Sequence, residues 1–171
     1  WSYIKAVASF FPKAELNGIE VDGGRRYWNM FRRIDLARAH AASLVFEGRF
    51  AQCLHEDFRN LALEEYLDSG DLTCFCFFFP FVSVDPCLKW GLPTRFADWA
   101  SQLSHAIEGV QKTNGKAFLW SCHQGSWEAE IAEHAYAELG IQTPQPVWID
   151  SDEFSHLWPS RYSVASFFVP L

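Results

Sequence analysis

Residues 115–140, GKAFLWSCHQGSWEAEIAEHAYAELG, read as one strand, a corner and a helix. A chain with such a unit is committed to layering helices on a sheet. The run 116–122 is apolar and aromatic, as suits a strand buried on both faces. His123-Gln124-Gly125 forms the corner, and Ser126 is the expected N-cap. Glu128 falls in the first turn, where the helix dipole favours a carboxylate. Ile131, Ala132, Ala135, Tyr136 and Leu139 recur at helical spacing, and Gly140 supplies the left-handed stop.

Upstream, residues 72–84 (LTCFCFFFPFVSV) are the most apolar run and predict a central strand covered on both faces, with Pro80 forcing a bulge or an edge from that point. A proline-marked loop over 85–93 leads to a helix capped by Thr94, with Phe96, Trp99, Ala100, Leu103, Ile107 and Val110 on one side. Asn114-Gly115 ends it, so strand, helix and strand can make a crossover between parallel neighbours. Nearer the start, residues 1–11 are β-prone, and Asn17-Gly18 between Leu16 and Ile19 reads as a tight hairpin turn. Helices are expected over 25–46, with Met30, Phe31, Ile34, Ala37, Ala41, Leu44 and Val45 as its stripe, and over 51–67. Strands are expected at 147–150 and near 162–169. The expected fold is a single α/β or α+β domain spanning residues 1–171, with a mixed β-sheet and about four helices.

Charge and cysteine usage narrow the function classes. A net charge of −7 argues against a nucleic-acid backbone as partner and suits either plain solubility or a basic protein partner. No apolar run approaches the roughly 18 to 20 residues of a membrane helix. The start at Trp1 lacks an initiator Met, as after trimming of a tag or leader, and does not resemble a signal peptide. Five cysteines, an odd number, with Cys74, Cys76 and Cys122 inside apolar runs, suit free thiols in the cytoplasm. Arg25, Arg26, Arg32, Arg33 and Arg38 make one helix locally basic, either as a solvated face or as a patch for a phosphate or carboxylate.

The block His123-Gln124-Gly125-Ser126-Trp127-Glu128 resembles the H-x-G-x-W-E block of the late acyltransferases of lipid A synthesis, within the wider glycerolipid acyltransferase group. The resemblance implies His123 as general base on an acceptor hydroxyl and Glu128 as the group orienting it. It extends over about 25 residues, and no second motif of that family follows Glu128. The opposing expectation is a capped helix with Trp127 packed beneath the sheet edge. A thiol nucleophile at Cys122 would need a base from elsewhere, because adjacent strand residues point to opposite faces. Cys74-x-Cys76 and Cys87 lack the spacing of a closed zinc site, and no glycine-rich phosphate loop follows a strand, so neither metal nor cofactor is expected.

Trp148 and Trp158 flank a loop holding Asp150, Asp152 and Glu153. Rings beside carboxylates suit an interface that grips a basic partner. The reading this composition favours is a non-enzymatic protein-binding domain, most concretely an acidic immunity or inhibitor protein that neutralises a cognate toxin or enzyme. An acyltransferase using His123 and Glu128 is the alternative.

Overall fold

The computed structural model describes residues 4–26, 30–67, 71–142, 145–150 and 163–171. They form an α+β fold with five α-helices, a mixed four-stranded sheet and a small parallel sheet. The chain falls into two compact units, residues 1–61 and 62–171.

In residues 1–61, helix α1 (Ile4–Phe10) precedes strand β1 (Leu16–Ile19), helix α2 (Arg33–Phe46) and strand β2 (Ala51–Leu54). The expected strand over 1–11 is instead helical across its described part. Ile4, Val7 and Ala8 share one helical face and pack on Leu16, Ala41, Leu44 and Ala51. Arg49 satisfies the helix end, donating to the carbonyls of Ala8 (3.0 Å) and Phe11 (2.8 Å). Asn17-Gly18 is not a hairpin turn. Both residues lie within β1, which pairs in parallel with β2, and Gln52 Nε2 donates to Asn17 Oδ1 at 2.7 Å. The helix expected over 51–67 is likewise replaced. Ala51 and Cys53 alternate inward as β2, and 3-10 turns follow at Phe58–Asn60 and Leu63–Glu65. The long-range ladder with β1 outweighs the local helical pattern there.

Helix α2 starts eight residues later than its periodicity suggested. The Asp22–Arg25 loop supplies its first acceptors: Arg33 N–H donates to Arg25 O and Ile34 N–H to Gly23 O. Asp35 closes the end alone, accepting the Arg32 N–H at 3.2 Å and the Arg32 guanidinium at 2.9 and 3.0 Å. Ile34, Ala37, Ala41 and Leu44 are buried as expected, whereas Met30, Phe31 and Val45 are exposed.

In residues 62–171 the sheet order is β3-β4-β6-β5, formed by β3 (Leu72–Phe78), β4 (Lys116–Gln124), β6 (Ser163–Pro170) and β5 (Val147–Asp150). Strands β3 and β4 are parallel and joined through helix α4 (Trp99–Thr113), as the strand-helix-strand pattern allowed. Strand β6 runs antiparallel to both β4 and β5. The most apolar run is therefore an edge strand, and the centre belongs to β4 and β6. Phe75 alone among the β3 residues is buried. Pro80 accounts for the early end of β3, since it lacks the N–H a ladder needs. The expected 85–93 loop contains helix α3 (Val84–Lys89), and Asp98 rather than Thr94 caps α4, accepting from Ser101 N–H at 3.0 Å. Asn114 (φ 51°) ends α4 in the left-handed conformation.

Helix α5 (Gly125–Glu138) packs on β4 and β6. With α4 it covers one sheet face, where Leu119, Ser121, His123, Phe167, Val169, Trp99, Leu103, Ala132 and Tyr136 are all buried. At Gly109 the 3-10 turn comes so close to α4 that a β-carbon would lie 2.8 Å from Leu63 Cδ1. The opposite sheet face carries Trp120, stacked on Phe168 and meeting Phe78 edge-on. Leu72, Val147 and Phe168 are exposed there.

Candidate functional site

His123 is the penultimate residue of β4, not the first residue of a corner, because the strand continues through Gln124. Alternation along β4 turns it toward the helices, and its ring has no solvent exposure. Trp99 and Phe167 meet it edge-on, with centroids at 5.5 and 5.8 Å. The Ser121 hydroxyl lies between His123 Nε2 (3.0 Å) and Tyr136 Oη (2.6 Å), so strand and helix share one buried polar chain. Among the described residues His123 Nδ1 has no hydrogen-bond partner, nor does the indole Nε1 of Trp99 beside it. Burial lowers the His123 pKa to about 4, which keeps the ring neutral near pH 7. The same burial pushes the Tyr136 hydroxyl above its usual range.

Glu128 turns the other way. Gly125 opens α5 with φ 73°, Gln124 takes the N-cap position in place of Ser126, and Glu128 Oε2 accepts the Gln124 N–H at 2.6 Å. Glu128 is the fourth helical residue, one past the capping-box position, and its carboxylate reaches back over the first turn. No hydrogen bond or ion pair joins Glu128 to His123. Burial raises the Glu128 pKa, and its one hydrogen bond offsets this only in part. Trp127, expected beneath the sheet edge, is 55% exposed.

A cavity of about 150 Å³ opens on the Glu128 side, where β3 and β4 end. Phe79, Phe81 and Trp90 wall it, Gln124 and Glu128 supply its polar side, and His123 does not line it. Phe79 follows β3 with φ 55°, held by its N–H on Cys122 O at 2.9 Å. That left-handed conformation costs a bulky side chain about 1 to 2 kcal/mol. The sequence marks this wall only by Phe79-Pro80-Phe81 at a strand end, which registers as a strand breaker.

Cys122 points to the sheet face opposite His123, its Sγ 3.9 Å from Ser166 Oγ, and burial raises its pKa. It offers no thiolate to a base. Cys74 and Cys76 lie on that same face with their sulfurs 3.4 Å apart. Among the described residues no group of three or more His, Cys, Asp and Glu side chains is placed to hold a metal ion. The arginines at the start of α2 are largely paired within the chain. Arg33 reaches Glu20 (3.2 Å) and Asp22 (3.6 Å), Arg25 also pairs with Asp22, and Arg32 with Asp35 (2.9 Å). Arg26, Arg32 and Arg38 are exposed, while Arg25, Arg32 and Arg33 are tied to carboxylates of the chain.

Of the residues expected to grip a partner, Trp148 lies on β5, 48% exposed beside the exposed Val147. Asp150 ends that strand, paired in register with Ser163. Asp152, Glu153 and Trp158 lie outside the described residues. Strand β5 terminates the order of the sheet and is bonded to β6. No helix among the described residues is long and apolar enough to cross a membrane. Compared with protein-family models and with curated proteins, the chain finds no match.

Proposed function

We propose that this chain is a non-enzymatic protein-binding domain of the cytoplasm, most concretely an acidic immunity or inhibitor protein that covers a basic surface of a toxin or enzyme. One observation carries the choice over catalysis: the imidazole that would serve as base is sealed beneath Trp99 and Phe167, with Glu128 committed to a backbone N–H instead. A general base must come within hydrogen-bond reach of the proton it removes. The exposed Val147 and Trp148 on an edge strand, leading into the acidic 150–153 segment, support partner binding. The net charge of −7 supports a basic partner, whose approach it would accelerate.

The test has two arms. Incubation with acyl thioesters should release no thiol above background for wild type, His123→Ala or Glu128→Gln. Release by wild type that both substitutions abolish, at unchanged melting temperature, overturns the reading in favour of an acyltransferase. In the second arm, a basic protein captured from the source cells should lose affinity by about tenfold or more on Trp148→Ala. Equal affinity moves the interface away from β5.

A further inference from the structure

The cavity beside Glu128 combines features that the binding reading leaves unused. Three aromatic rings, Phe79, Phe81 and Trp90, stand around a half-buried carboxylate. Phe81 and Trp90 meet edge-to-face at 5.8 Å, so neither ring collapses flat onto the other. Among the described residues, Glu128 has one hydrogen bond, from Gln124 N–H, and no ion pair. At the N-terminus of a 14-residue helix an anionic ligand would ordinarily be favoured. Here Glu128 already takes that position, and its full negative charge exceeds the roughly +0.5 charge of the helix end. What remains is a net negative pocket with π faces, which attracts a cation and repels an anion. Phe79 is held there in a left-handed conformation that its side chain does not favour, as occurs where a fold fixes a ligand clamp.

We infer that this cavity receives a cationic side-chain head, an ammonium or guanidinium group presented by the partner protein. The inference rests on the protein-binding reading and names the chemistry its partner brings. The volume of about 150 Å³ admits the end of one Lys or Arg side chain and not a folded segment. The carboxylate supplies the counter-charge, the rings hold the alkyl stem and the cation, and the Gln124 side chain adds a polar contact. A cation paired with Glu128 opposes the rise in its pKa that burial causes.

The experiment uses the whole chain and small probes. N-acetyl-lysine methylamide is titrated in while the Trp90 indole N–H and Gln124 amide N–H signals are followed by NMR. Saturable shifts of both are expected, with N-acetyl-norleucine methylamide, which lacks the charge, and N-acetyl-glutamate methylamide binding more weakly. Glu128→Gln should weaken the lysine probe by about tenfold. Its carboxamide oxygen can still accept the Gln124 N–H, so folding should persist. If it does not, Trp90→Leu decides, with a similar weakening expected. Equal binding of the norleucine probe, preference for the glutamate probe, or indifference to both substitutions overturns the inference. Probe binding that needs Glu128, in a chain that retains no protein partner, upholds the cavity and sinks the binding reading alone.

Discussion

A neutral imidazole enclosed by rings makes His123 a pH-sensitive member of the core. Its pKa is about 4 in the folded chain, against about 6.5 when exposed. Between those values the unfolded chain binds a proton that the folded chain does not. Stability is therefore full above about pH 6.5 and falls as the pH drops toward 4. The loss amounts to roughly 3 kcal/mol over that window. Urea melts between pH 4 and 7 should show this slope, and His123→Phe should flatten it while leaving Asp and Glu titrations in place. An unchanged slope would mean that the ring reaches solvent, which would reopen the catalytic reading. Glu128 works in the opposite sense. Burial raises its pKa, so its contribution to stability declines as the pH rises and the carboxyl ionises.

At the scale of elements, the Phe-rich strand separates what period and composition reveal from what they cannot. Phe75 faces the covered side of β3 and is 9% exposed, whereas Phe77 and Phe79 are only half-buried at the strand end. Phe75→Ala should cost about 3 to 5 kcal/mol, and Phe77→Ala and Phe79→Ala distinctly less. Equal losses at all three would show that the run is central after all. The unit from β3 through α4, β4 and α5 was legible because strand length, helical stripes and the stops at Asn114 and Gly140 all agree. The order of strands was not, because apolar content alone does not say which strand has two neighbours. In residues 1–61 the local signals pointed the wrong way. Asn17-Gly18 and the 51–67 periodicity are short-range patterns, and the β1–β2 ladder joins residues 35 apart along the chain. At the site, His123 and Glu128 could be singled out from spacing. Their divergence followed from β4 running two residues into the expected corner, which turned His123 inward and left Glu128 beside Gln124.

Over the whole molecule the cysteines give a count and an order of reactivity that can be measured together. All five are free thiols, at Cys53, Cys74, Cys76, Cys87 and Cys122. Cys53, Cys87 and Cys122 are buried, and desolvation pushes the Cys53 thiol up to about 11. Cys74 and Cys76 are half-buried with their sulfurs 3.4 Å apart, so that when one ionises the S–H of the other can donate to it. That contact favours a single thiolate in the pair. A thiol reagent at pH 8 should therefore modify the Cys74–Cys76 pair first. The other three should wait for unfolding, because a buried thiol is neither ionised nor within reach. In denaturant without reductant the total should come to five. A total of three or fewer would place disulfides in the native chain and remove the cytoplasmic assignment from the proposed function. A prompt native count above two would mean that the core around Cys53, Cys87 or Cys122 opens on the timescale of labelling, and that His123, adjacent to Cys122 on β4, is less enclosed than its packing indicates.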